Sequence, residues 1–82
     1  MRTKTVYEYL NVSVFAERVV AAMESRCTTN EQLAFDMDCC KDSISKYRTG
    51  KGLPTLDQLV NLADCLNVSI DYLLGRKEDM QV

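Results

Sequence analysis

Gly50, Gly52, Pro54 and Gly75 are the only glycines and the only proline in this chain. Glycine and proline are the strongest local punctuation a sequence carries. With so few of them, the stretches between read as short helices wherever apolar residues recur at helical spacing.

Residues 13–26 form the first such stretch. Phe15, Val19, Ala22 and Met23 fall on one stripe, and Ser13 is placed as the N-cap. The second helix opens on Thr29-Asn30-Glu31-Gln32, a capping box in which the threonine accepts a backbone N–H and the glutamine reaches back. Leu33, Ala34 and Met37 are its apolar face, and it ends near Met37 or Asp38. Residues 41–49 form the third helix. Its clear apolar positions are Ile44 and Tyr47, so it buries one narrow face and leaves Lys41, Asp42, Ser45, Lys46 and Thr49 opposite. Gly50 can take the left-handed conformation that ends it. A second capping box, Thr55 to Gln58, starts the fourth helix, with Leu56, Leu59, Val60, Ala63 and Leu66 as the buried stripe. The fifth begins near Ser69, contains Ile70, Tyr72, Leu73 and Leu74, and stops at Gly75. Residues 76–82 are predicted to be a polar, frayed tail. In residues 1–12, Val6, Glu8 and Leu10 alternate with Tyr7 and Tyr9, which fits a strand, a turn of helix or an arm.

At 82 residues this is one small domain with a marginal core, of the size often completed by oligomerisation. No apolar run approaches the roughly 20 residues of a membrane span. The opening MRTKTVYEYL lacks the apolar core of a signal peptide, so a cytoplasmic location is expected. Cys27, Cys39, Cys40 and Cys65 suggest neither a disulfide scaffold nor a zinc site: there is no C-x-x-C pair and no histidine. They are predicted to be reduced and structural, with no metal and no cofactor. Catalysis has little support, since a cysteine nucleophile would lack a histidine base and no Gly-rich phosphate loop is present. No small-molecule substrate is evident.

The net charge of −2 argues mildly against a nucleic-acid partner. The charge is uneven, however. Residues 41–51 hold Lys41, Lys46, Arg48 and Lys51 against one acid, Asp42, while residues 55–74 hold three acids and no base. Two short helices joined by about three residues, the second narrow-faced and polar outward, suggest a helix-turn-helix. A helix that reads base edges must leave one side unburied and furnish it with hydrogen-bonding groups.

The pieces AERV, TNEQLA, SISKY, Gly50 and LPTLDQLVNLADCLNVSIDYLLG, in this order and spacing over residues 15–75, resemble the phage-repressor (lambda-repressor-like, Xre) helix-turn-helix family. The resemblance implies an all-α, compact five-helix bundle over residues 13–75. It also implies a sequence-specific, dimeric transcriptional regulator acting on a double-stranded DNA operator, with a repressor preferred. By position, base edges fall to Lys41, Asp42, Ser45 and Lys46. Asn30, Cys40, Arg48 and Lys51 fall on the phosphate side. Ile70, Tyr72 and Leu74 exceed what one side of a short helix buries, so they are either core or a dimer patch, and the dimer is preferred.

Three departures from the family pattern matter. Asp38 stands where the family has a turn glycine, and aspartate tolerates positive φ better than most residues. Cys40 replaces a capping serine or threonine and is a weaker acceptor. Arg48 replaces a glutamate whose arginine partner falls at Met23, so both members of a buried pair have changed together. Arg48 is therefore predicted to turn toward solvent. Two other readings stay open: a protein-interaction module that has lost operator reading, motivated by the acidic pI, and a thiol sensor at Cys40.

Overall fold

In a computed structural model, which describes residues 10–80, the chain is all-α: α1 (Val12–Ser25), α2 (Asn30–Met37), α3 (Lys41–Thr49), α4 (Leu56–Leu66) and α5 (Ile70–Leu73). Helix α1 packs on α3 and α5, α2 on α3 and α4, and α4 on α5. One core joins them. Phe15, Val19 and Met23 of α1 meet Leu33 and Met37 of α2, Ile44 of α3, Leu62 and Leu66 of α4 and Leu73 of α5. Phe15 and Tyr47 meet edge to face at 6.5 Å, an aromatic geometry that ties α1 to α3.

The helix starts follow from capping chemistry, with two differences from the expected pattern. Helix α1 is capped by Asn11, whose side chain accepts from the Val14 N–H at 3.2 Å, and Ser13 lies exposed inside the first turn. The Thr29 hydroxyl accepts from the Gln32 N–H as expected, but the Gln32 amide donates forward to Asp36 at 3.0 Å. The reciprocal half of that capping box is not formed, because Asp36, four residues on along the same face, is a charged acceptor. Thr55 likewise accepts from the Gln58 N–H, while the Gln58 side chain turns to Asn61.

The buried stripe of α4 is rotated from the expected one. Leu62, Ala63 and Leu66 are buried and Leu59 packs against them, a set at helical spacing that includes Leu62, which the expected stripe omits. Leu56 is 83% exposed and Val60 48% exposed. Leu56 opens the helix, and Val60 lies one turn on along the same outer edge.

Residues 76–80 do not fray. The Ser69 N–H donates to the Met80 carbonyl at 3.0 Å, and Met80 packs against the core. Arg18 secures this return. Its guanidinium lies 4.5 Å from the centre of the Tyr72 ring and donates to the Lys77 carbonyl at 2.7 Å. Nothing in the local pattern of either segment signals a contact between residues 59 apart in the chain. The alternating stretch at residues 1–9 lies outside the described residues, and the first helix starts at Val12 rather than Ser13. No helix among the described residues is long and apolar enough to cross a membrane.

Candidate nucleic-acid interface

Helix α3 buries only Ile44 and Tyr47. Lys41, Asp42, Ser45 and Lys46 are all exposed. Positions 41 and 45, and 42 and 46, are each four apart, so the side chains form one continuous outward face. Lys46 and Arg48 in the last turn and Asp42 in the first also complement the helix dipole.

The turn that presents this helix is built on backbone conformation. Asp38 takes the left-handed conformation, φ 57° and ψ 49°, as its type allows. The Cys39 N–H then donates to the Ala34 carbonyl at 2.9 Å. An anchor absent from the sequence-based expectations fastens this turn to α4. The Asn61 amide donates to the Met37 carbonyl and to the Gln58 side chain, each at 3.1 Å, while the Cys65 thiol donates to its oxygen at 3.5 Å. Asn61 flanks the apolar stripe of α4 on the side of Gln58 and Cys65, and nothing in the local pattern signals its reach to the turn.

Cys40 occupies the N-cap of α3 with extended backbone, is exposed, and makes no side-chain cap bond. The weak cap expected of a thiol is thus an absent one. Cys39 is half-buried against the core, and burial pushes its thiol up, with Cys40 and Asp38 adding to the effect. Burial also raises the Cys65 thiol, helped by Asp36, Asp64 and Cys39. Raised thiols are poor nucleophiles and poor metal ligands. Among the described residues, no three cysteine, aspartate or glutamate side chains converge in a way that could hold a metal ion.

Gly50 ends α3 at φ 77°, and the Lys51 N–H returns to the Lys46 carbonyl at 3.0 Å. Lys51 itself is exposed in the following loop. A β-carbon on Gly52 would come within 3.3 Å of the Lys46 Cβ and 3.4 Å of its Cδ. The bare backbone at Gly52 therefore leaves room for the Lys46 stem to lie along the loop. Nothing in the local sequence signals this role for Gly52.

Arg48 does not turn freely to solvent. It is half-buried, and its Nη1 donates to Asn30 Oδ1 at 2.6 Å. The guanidinium is satisfied across the α2–α3 junction by a neutral amide instead of a carboxylate. The expected dimer residues are divided. Tyr72 is 5% exposed and belongs to the core, its ring covered by Arg18. Ile70 and Leu74 are half-exposed.

A short helix held at a left-handed turn, with one buried face and a polar, locally basic outer face, defines a helix-turn-helix domain. The chain belongs to that family: the helix-turn-helix family matches residues 21–73. It is 40% identical over 60 residues to the cryptic phage CTXphi transcriptional repressor RstR of Vibrio cholerae, covering 73% of this chain and 54% of the relative. It is 35% identical over 66 residues to the uncharacterized HTH-type transcriptional regulator YobD of Bacillus subtilis, covering 80% of this chain and 59% of the relative. The fold is similar to the crystal structure of a transcriptional regulator from Listeria innocua, with a TM-score of 0.68 and 28% identity over 74% of this chain and 57% of that one. The chain thus spans little more than half the length of these two curated relatives.

Proposed function

We propose that this chain binds double-stranded DNA in a sequence-specific manner, as a homodimer on a two-fold operator, and regulates transcription, with repression as its output. The observation that carries the reading is the face of α3, where Lys41, Asp42, Ser45 and Lys46 stand outward together over a core anchored by Ile44 and Tyr47. Such a helix fits the major groove, where lysine donates to guanine and aspartate accepts from cytosine N4. Lys51 lies beside it as a phosphate contact. The name of the similar cholera phage protein supports repression.

The test is a fluorescence titration of labelled duplex DNA over a range of salt. Counterion release makes affinity fall linearly on a log–log plot, with a slope set by the number of phosphates neutralised. A steep negative slope is expected. Binding that ignores salt, or no binding at low salt, would instead favour the protein-interaction reading. Phe35, 82% exposed on α2, is the feature that keeps that reading in view.

The dimer contact is proposed at Ile70 and Leu74 and at the apolar groove that Leu74 lines. Leu74 lines a groove of about 360 Å³ together with Leu10, Leu53, Pro54, Leu56 and Leu59. A second copy laid over this groove would remove exposed Leu56 from water, adding to the core of a small domain. Leu56→Asp is expected to shift the protein to monomer in light scattering. At concentrations where the wild type is also monomeric, its effect on unfolding should stay within about 0.5 kcal/mol, since an exposed position carries little folding energy in the monomer. A variant that stays dimeric would remove Leu56 from the interface.

A further inference from the structure

We infer that Arg48 is a positioning residue that orients the Asn30 carboxamide toward a DNA phosphate, instead of contacting phosphate itself. The inference rests on the DNA-binding reading and goes beyond it.

The geometry begins with the bond of 2.6 Å from Arg48 Nη1 to Asn30 Oδ1. Arginine has donors and no acceptor, so the amide atom facing it must be the oxygen. The orientation of the Asn30 side chain is thereby decided by chemistry. Its Nδ2, on the other branch of the carboxamide, is left with both N–H groups to give. Asn30 is also released from capping duty. Thr29 is the N-cap of α2, and its hydroxyl already accepts from the Gln32 N–H at 3.1 Å. The carboxamide is thus a pair of donors at the first residue of α2, polarised by the guanidinium bonded to its oxygen.

Arg48 comes from the last turn of α3, so the bond also links the helix proposed to read bases to the helix proposed to meet the backbone. An amide N–H pair backed by a positive charge suits an anionic oxygen, and in this setting that is the phosphodiester. The departure at position 48 gains a physical meaning here. Arg48, for which no ion pair is formed among the described residues, is held by an amide, and holding it aims the amide.

The competing explanation is that Arg48 only clamps two helices or adds general positive charge. A double-mutant cycle on the whole chain separates these possibilities. The probe is a fluorescein-labelled duplex selected from a random pool on the wild-type protein, with Asn30→Ala, Arg48→Met and the double variant titrated at several salt concentrations. Urea unfolding of each variant establishes that it is folded. Asn30→Ala is expected to weaken binding roughly tenfold, the loss of one hydrogen bond to a charged group, with the salt slope unchanged. Arg48→Met should weaken wild type comparably and weaken Asn30→Ala by far less. Arg48→Lys keeps the charge but carries a shorter head that does not place a donor where Nη1 stands, and is expected to lose most of what Arg48→Met loses. It also stands in if Arg48→Met does not fold. Losses that multiply in the double variant, or wild-type affinity in Arg48→Lys, would overturn the inference while leaving DNA binding intact. A wild type that selects no duplex would overturn the DNA reading and this inference with it.

Discussion

Replacing Ile44 with alanine is expected to lower the unfolding free energy by about 2–5 kcal/mol, the range for removing a fully buried aliphatic side chain and leaving a cavity. Ile44 is 0% exposed and is one of only two buried side chains on α3. The other, Tyr47, reaches Phe15 of α1, so losing Ile44 leaves α3 secured mainly from one end. A domain of 82 residues has about 4–12 kcal/mol in total, so this one change removes a large fraction of its stability. Each kcal/mol shifts the midpoint by about 4–8 °C in a domain this small. Thermal melting followed by circular dichroism should therefore drop by at least about 8 °C. The exposed neighbour Ser45, changed to alanine, serves as the control and should stay near wild type. If Ile44→Ala melted like that control, α3 would not be seated as described, and the outward face of Lys41, Asp42, Ser45 and Lys46 would lose its foundation.

The opposite pattern is expected at Lys46. Its ammonium is exposed, and only its stem rests on the loop at Gly52, so Lys46→Ala should leave the fold unchanged within about 0.5 kcal/mol. Binding to a selected duplex should weaken by about 1–3 kcal/mol, roughly fivefold to more than a hundredfold. The form of the weakening identifies what Lys46 touches. If it touches a base, the alanine variant relaxes discrimination at one operator position. If it touches a phosphate, the variant weakens all sequences alike and reduces the salt slope by about one. The position of Lys46, one turn beyond Asp42 on the exposed face, predicts the first outcome. Lys46→Glu should be worse still, since it sets a carboxylate against the polyanion. Unchanged affinity in both variants would take Lys46 out of the reading face.

Much of this was legible in the residues because it depends on local chemistry. Thr29, Thr55 and Gly50 mark helix ends by hydrogen bonding and backbone freedom that need no partner from elsewhere. The spacing of Ile44 and Tyr47 already requires a helix with one buried side and a polar remainder. Asp38 could be read as a left-handed turn residue from its type alone. The cap of α1 falls two residues earlier than expected because Asn11 and Ser13 are both good caps, and only the path of the chain chooses between them.

What the tertiary structure decided is which of several satisfactory local arrangements survives when distant segments compete. Leu56 and Leu62 are equally apolar, yet one is exposed and one buried, because the bundle covers only the middle and end of α4. Tyr72 could have faced a second copy, but it is buried in the core with the Arg18 guanidinium over its ring, and Arg18 in turn is bonded to the Lys77 carbonyl. Arg48 stands where the resemblance implies the acid of a buried pair, and with that pair gone the sequence offered solvent as the only alternative. The fold supplied Asn30 from 18 residues away. Periodicity and capping are properties of a few neighbouring residues and are written in the chain. The partner of a long polar side chain depends on where the helices cross, and that crossing exists only once the core has closed.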